Sequence, residues 1–315
     1  MISFLDFERP IAELEARIAE LRATGEAGSI DLAPEIDKLE KKSTALLRTT
    51  YAKLSPWQKT QVARHPQRPH FLDYVRLMFE DFMPLAGDRR FGEDQAILGG
   101  PARLNGRKVM LIGHEKGHDT ASRLTHNFGM GKPEGYRKAV RLMEMAGKFG
   151  LPVVTLVDTA GAFPGVEAEE RGQSEAIARS TEACLSLGVP MVAAIVGEGG
   201  SGGAVALASA ERVLMLEHAV YSVISPEGAS SILWRTPEKA ADAAEAMKVT
   251  AQDLLALGVI DRIVPEPLGG AHRDPAGAAA TLSAAIGEEL DALSSLGAEE
   301  LMRQREERFL KIGRG

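Results

Sequence analysis

Met191-Val192-Ala193-Ala194-Ile195-Val196 runs straight into Gly197-Glu198-Gly199-Gly200-Ser201-Gly202-Gly203, and this junction decides the fold class. Six apolar residues without alternation suit a strand buried on both faces. The glycines after it predict a loop over Gly197–Gly203 that opens into a short helix, Ala204–Ala210. The pattern recurs: Val153–Val157 leads into Asp158–Gly165, and Val213–Leu216 leads to the later loop Ser222–Gly228. Buried strands alternating with Gly-rich loops and helices predict an α/β architecture. Working outward, Ala96–Leu104 and Lys108–Gly113 flank Asn105-Gly106, a hairpin-turn signal. Phe71–Phe82 and Glu134–Phe149 read as helices.

The ends of the chain read as helical. Ile11, Leu14, Ile18 and Leu21 form one apolar stripe, Gly25 and Gly28 interrupt it, and a second helix spans Pro34 to Arg48. Such a hairpin is too narrow to fold alone, so it must pack on the main domain or on another chain. Pro265–Gly270 and Gly297 break the Ala- and Glu-rich C-terminal helices. The predicted organisation is a helical hairpin over 1–50, a main domain over 51–295 and a terminal helix over 296–315.

Composition narrows the class. With 315 residues and 44% apolar content the chain can bury a large core, and a net charge of −7 leaves no basic footprint for nucleic acid. One cysteine, Cys184, excludes an intrachain disulfide and a thiolate zinc site. Met1–Pro10 is too charged for a signal peptide, and no apolar run reaches the length of a spanning helix. A reducing cytoplasm without membrane insertion is the expected setting.

Four motif readings compete. His114-Glu115-Lys116-Gly117-His118 matches a zinc-protease pattern, yet it follows a strand and is bracketed by Gly113 and Gly117. A loop is the better reading, because the metal chemistry needs both histidines on one helix face. Gly199-Gly200-Ser201-Gly202-Gly203 matches the nucleophile elbow of serine hydrolases, but downstream only His218 and His272 remain as bases, neither in a recognisable motif. Gly197–Gly202 also fits a dinucleotide fingerprint, with Glu217 at a plausible distance. Against it stand the short following helix and Glu198, which would face a pyrophosphate. The remaining reading takes the glycines as bare backbone: N–H groups at a helix N-terminus that form an oxyanion hole, or a loop that only permits tight packing. Spacing alone leaves these two open.

Gly197–Ala204, Asp158–Gly165, Ala168–Ala176 and Tyr221–Gly228 together resemble the carboxyltransferase α-subunit family of bacterial acetyl-CoA carboxylases. Ala63–Pro69, Asn127–Met130, Pro133–Lys138 and Pro265–Arg273 match as well, so the resemblance spans nearly the whole chain. Two departures stand out: Ala160 replaces a usual Pro, and His118 and His126 occupy a loop, His114–Asn127, that is typically more basic.

The resemblance implies a crotonase-like (ClpP/crotonase) superhelix of ββα repeats. It implies carboxyl transfer from carboxybiotin, on a biotin carboxyl carrier protein, to acetyl-CoA, yielding malonyl-CoA for fatty acid synthesis. The partners implied are a zinc-ribbon β subunit in an α2β2 heterotetramer and a biotin carboxylase, with no metal on this chain. By motif match, the backbone N–H groups of Gly202 and Gly203 stabilise the ureido oxygen. Gly161, Ala162, Phe163, Pro164, Gly165, Gly199, Gly200, Ser201, Pro226, Glu227 and Gly228 are the implied carboxybiotin-binding residues. Glu227 reads equally as a helix cap. Two alternatives stay in view: a stand-alone crotonase-type hydratase or isomerase using Glu198, and an inactive scaffold paralogue.

Overall fold

The computed structural model describes residues 3–27 and 32–314, with two of the expected features, the Gly28 break and the very start of the chain, outside them. Among the described residues eight strands form one sheet: β1 (Phe79–Glu80), β2 (Ile97–Leu104), β3 (Arg107–His114), β4 (Val153–Thr159), β5 (Met191–Gly200), β6 (Arg212–Leu216), β7 (Val220–Ser222) and β8 (Arg262–Val264). Their order is β1-β2-β3-β4-β5-β6-β8, and β7 pairs with β5. β2 and β3 are antiparallel about Asn105-Gly106, both with positive φ (51° and 79°), the backbone that a tight hairpin of matching twist requires. From β3 to β8 the neighbours are parallel.

β4 and the first half of β5 are buried throughout, in keeping with their unbroken apolar runs. Helices cover the sheet: Pro133–Phe149 and Gln173–Leu185 pack on each other, while Pro275–Leu293 contacts β5, β6 and β8. Leu282, Ile286, Leu290 and Leu301 join Val153–Leu156 and Met191–Val196 in a single core. Thus the C-terminal helix Ala298–Lys311 also packs on the sheet domain, and its fully buried Arg305 donates to the Cys184 and Leu187 carbonyls.

Three expectations change. The glycines do not form a loop: β5 continues through Gly197–Gly200, and the helix Ser201–Ala208 begins at the next residue. The extension has partners, since Glu198–Gly200 pair with β7 while Thr159 pairs with Gly199 beyond a register shift in β4. The helix at Phe71 ends at Met78, because Phe79 and Glu80 pair with Leu104 and Arg103 instead. Gly25 does not end the first helix, which runs from Arg9 to Ala27.

The N-terminal helices Arg9–Ala27 and Ala33–Tyr51 dock on the main domain. Ile11, Leu47 and Tyr51 make a small apolar cluster with Leu54 and Val62. Polar contacts lock it: buried Glu8 accepts from Tyr51 Oη at 3.0 Å and from Arg273 at 3.3 Å, and Arg273 also binds Glu15 at 2.8 Å.

Candidate functional site

The strand-to-helix junction of β5 lies against the loop leaving β4. Gly200 is pressed on that loop so closely that a Cβ there would sit 2.1 Å from the Ala160 carbonyl oxygen. A Cβ on Gly203 would sit 2.7 Å from the Gly161 carbonyl carbon and 3.0 Å from the Ala162 nitrogen. Glycine at these positions is therefore a matter of contact between two backbone segments. Ser201, at the turn itself, holds φ of +51°, a conformation that costs a non-glycine residue energy and that sharpens the strand-to-helix reversal.

The first turn of the helix Ser201–Ala208 has no side-chain cap. Of its leading N–H groups, those of Gly202 and Gly203 lack intrahelical acceptors by helix geometry and make no bond to other segments among the described residues. The Ala162 N–H, opposite them, is likewise without a partner there. The loop that carries it is anchored on both sides, by Thr159 Oγ1 to the Gly161 carbonyl (2.7 Å) and by Phe163 N to the Gly131 carbonyl (3.0 Å).

A cavity of about 560 Å³ opens beside this turn. Ser201, Gly202 and Val205 form one wall, Tyr221–Val223 a second, and Met247, Lys248, Leu254, Leu257 and Val259 the rest. Among the described residues no carboxylate lines it. On the other side of the Ala160–Ala162 backbone lies a smaller cavity of about 250 Å³, lined by Arg64, His70, Lys116, Arg123, Phe128 and Glu198 among others.

Asp158, at the end of β4, organises the second cavity. It accepts from Lys116 Nζ (2.7 Å), His70 Nδ1 (3.2 Å) and the Glu198 amide (2.9 Å). Burial alone would raise its pKa, but Lys116 and His70 outweigh that and hold the carboxyl well below the usual range. Arg64 bridges Glu198 (Nε 2.9 Å) and Glu227 (2.6 Å). Burial disfavours the Arg64 cation, and the Glu198 charge overcomes it, so its pKa is raised.

The structure therefore brings together Gly161, Ala162, Gly199, Gly200, Ser201, Gly202 and Gly203, but not the whole expected set. Phe163 turns toward Lys132, whose Nζ lies 4.6 Å from its ring, and a Cβ on Gly165 would strike Phe163 and Glu167. Pro226, Glu227 and Gly228 form the first turn of the helix Pro226–Trp234, capped by Ser225, and line neither cavity. Their neighbours Tyr221, Ser222 and Val223 line the larger one instead. Arg64, His70, Lys116 and Arg123 were not singled out from sequence. Their signal was present in Ala63–Pro69 and in the loop after His114, but nothing local reveals that these segments meet.

The competing motifs resolve physically. His114 is buried with both ring nitrogens unpartnered, and burial lowers its pKa to about 3. His118 instead faces Asp73 at 2.9 Å, and Glu115 is occupied by the Leu72 and Gly117 amides. His114 closes β3 and the loop begins only at Glu115, so the two histidines share no helix face. Ser201 has no histidine beside it: His218 packs on Tyr51 and His272 stacks on His65. The dinucleotide reading fails because Gly197, Gly199 and Gly200 sit in β5, and the Ala160 backbone fills the space against Gly200 that a pyrophosphate needs.

The fold has counterparts among known proteins. Among solved structures the chain resembles transcarboxylase 12S with methylmalonyl-coenzyme A bound (TM-score 0.59, 19% identity, 72% of this chain and 42% of that one). It also resembles a Pseudomonas malonate decarboxylase hetero-tetramer in complex with coenzyme A (TM-score 0.55, 19% identity, 69% and 86%). The chain spans less than half of the transcarboxylase chain, and at such identity the likeness is one of fold. The fold is crotonase-like α/β. A family described as acetyl co-enzyme A carboxylase carboxyltransferase-like matches residues 4–313. The acetyl-coenzyme A carboxylase carboxyl transferase subunit alpha of Erythrobacter litoralis (strain HTCC2594) is 74% identical over 313 residues, 99% of this chain and 100% of that protein. The chain belongs to this α-subunit family of acetyl-CoA carboxylase.

Proposed function

We propose that the chain supplies the carboxybiotin side of the carboxyl transfer that makes malonyl-CoA, working in an α2β2 complex with a zinc-ribbon β subunit that holds the CoA ester. A biotin carboxyl carrier protein delivers the group, and a biotin carboxylase charges it. The observation that carries this reading is the set of bare amides at the mouth of an apolar cavity: Gly202 lines the cavity, and Gly203 and Ala162 face each other beside it. The donor set suits a ureido oxygen, and Val205, Val223, Met247 and Leu257 suit the apolar body of biotin. Carboxybiotin supplies the carboxyl group when bound. The Gly202 and Gly203 N–H groups stabilise the negative charge that collects on the ureido oxygen, in a site pre-set by the anchored loop. Apolar walls exclude water, which strengthens those hydrogen bonds.

In this reading residues 51–295 form the transferring domain, 1–50 a docked arm and 296–315 a brace. The single cysteine, Cys184, suits a reducing cytoplasmic setting, and burial pushes its thiol up to about 12, which keeps it inert. No described helix is long and apolar enough to cross a membrane. A stand-alone hydratase is disfavoured, because Glu198 is held by Arg64 in the other cavity and no acid lines the apolar cavity among the described residues.

The test is the reverse reaction: malonyl-CoA consumption with biocytin as acceptor, by the chain alone and mixed with a β subunit of its family. Activity that appears only in the mixture supports a shared active site. Activity of the chain alone refutes the division of labour. A stable but silent mixture favours a scaffold.

A further inference from the structure

The transfer scheme makes no use of the smaller, basic cavity. Its charges converge from four separate segments, and they are not equally free. Arg64 is held by Glu198 and Glu227, and Lys116 by Asp158. Arg123 donates only to the Gly117 carbonyl, at 3.4 Å, and no carboxylate lies within ion-pair distance of it among the described residues. A half-buried guanidinium without a counter-ion has given up hydration and received little in return.

One uncompensated guanidinium, beside cations that are already matched, suits a single carboxylate. Arginine binds that group with two parallel N–H donors. A phosphate dianion would bring more charge than the cavity leaves open. The adjoining wall is built under strain: Asn127 and Phe128 both take left-handed backbone (φ 47° and 56°). Non-glycine residues hold such geometry at a cost, and here it sets the exposed Phe128 ring in the cavity lining beside Arg123.

Position adds the last constraint. Ala160 lines this cavity, while its carbonyl oxygen presses on Gly200 at the base of the amide-lined turn. The basic cavity thus adjoins the contact between the Ala160 backbone and the β5 junction, whose next residues, Ser201 and Gly202, line the larger cavity.

We propose that the basic cavity receives the free carboxylate of the carboxylated short-chain acyl-CoA, and that Arg123 distinguishes this ester from its uncarboxylated counterpart. This rests on the carboxyltransferase reading above. The CoA moiety stays with the partner subunit, and only the carboxylate end reaches this chain.

The experiment compares wild type, Arg123→Gln and Arg123→Lys, each assembled with the β subunit. The readouts are KM for malonyl-CoA in the reverse direction and KM for acetyl-CoA in the forward one. Arg123→Gln should raise the malonyl-CoA KM by roughly 10- to 100-fold, the effect of losing a charge-assisted pair. The acetyl-CoA KM should stay within about twofold, and Arg123→Lys should recover part of the loss. Calorimetric binding of both esters to the complex gives the same comparison if turnover is lost. Equal weakening of both esters, or none, overturns the proposal. A wild-type complex that binds both esters yet transfers nothing overturns the functional reading instead, and leaves the binding comparison to judge Arg123.

Discussion

Replacing Gly200 with alanine adds one methyl group, and the structure says where it must go. The new Cβ would sit 2.1 Å from the Ala160 oxygen, 2.3 Å from its carbonyl carbon and 2.9 Å from its Cα. An unstrained carbon–oxygen contact needs about 1 Å more, on the usual van der Waals scale. Backbone atoms cannot rotate aside, and the Ala160 segment is tied at Thr159 and Phe163. Overpacking of this kind costs about 3 kcal/mol or more. Gly202→Ala is the matched control, because its nearest neighbours would be Ile177 carbons at 3.5 and 3.6 Å, an ordinary contact. Alanine in a helix also gains about 1 kcal/mol over glycine. The same chemical change, two residues apart, should therefore differ by about 4 kcal/mol in stability. Urea denaturation followed by far-UV circular dichroism and by Trp57 and Trp234 fluorescence measures it, as a shift in midpoint at unchanged slope. A loop displaced by about 1 Å should also lower transfer by about 100-fold in the assembled enzyme. Equal midpoints for the two variants would refute the claim that these glycines exist for backbone-to-backbone approach.

Gly203→Pro and Gly203→Ala introduce a similar Cβ, but only proline removes the N–H; the excess loss of transfer in the proline variant should be about 10²–10³-fold, measured as kcat in the assembled enzyme. His272 stacks on His65 at 3.8 Å with both nitrogens unpartnered, and burial lowers its pKa to about 3. Below pH 6.5 the unfolded chain takes up a proton that the folded chain refuses until about pH 3, so stability falls with pH across that window, by about 2 kcal/mol between pH 6.5 and 5. His272→Phe should remove this acid-dependent part, seen by comparing denaturation midpoints at pH 7.5 and 5. Arg68 and Glu266 form a buried bidentate pair at 2.9 and 2.7 Å. Arg68→Met should cost about 3–5 kcal/mol in a denaturation midpoint, and a second change of Glu266 to leucine should restore part of it.

Much of the fold was legible locally. Asn105-Gly106 announced the hairpin because few dipeptides accept two positive φ angles, and the unbroken runs at Val153 and Met191 announced strands covered on both faces. Phe79 and Glu80 were not legible, since a helix and an edge strand compete there and only the presence of β2 decides between them. The glycines after Val196 misled in the same way: they read as a loop, yet Val220–Ser222 and Thr159 supply the hydrogen bonds that keep Glu198–Gly200 extended.

What the sequence by itself determined is the set of local preferences and the family pattern, because turn chemistry, apolar periodicity and motif spacing act between residues close along the chain. Only the tertiary structure decided what each group faces. The Ala160 carbonyl lies under Gly200, which turns the neighbouring glycines from flexible punctuation into a packed junction with free amides. Glu198, the acid that the hydratase reading needed, meets Arg64 from more than a hundred residues upstream and is neutralised. Arg64, Lys116 and Arg123 share a cavity while Glu227, expected in the site, serves as an anchor for Arg64. Such outcomes depend on burial and on charges brought together across the chain, and the energy of neither is written at any single position.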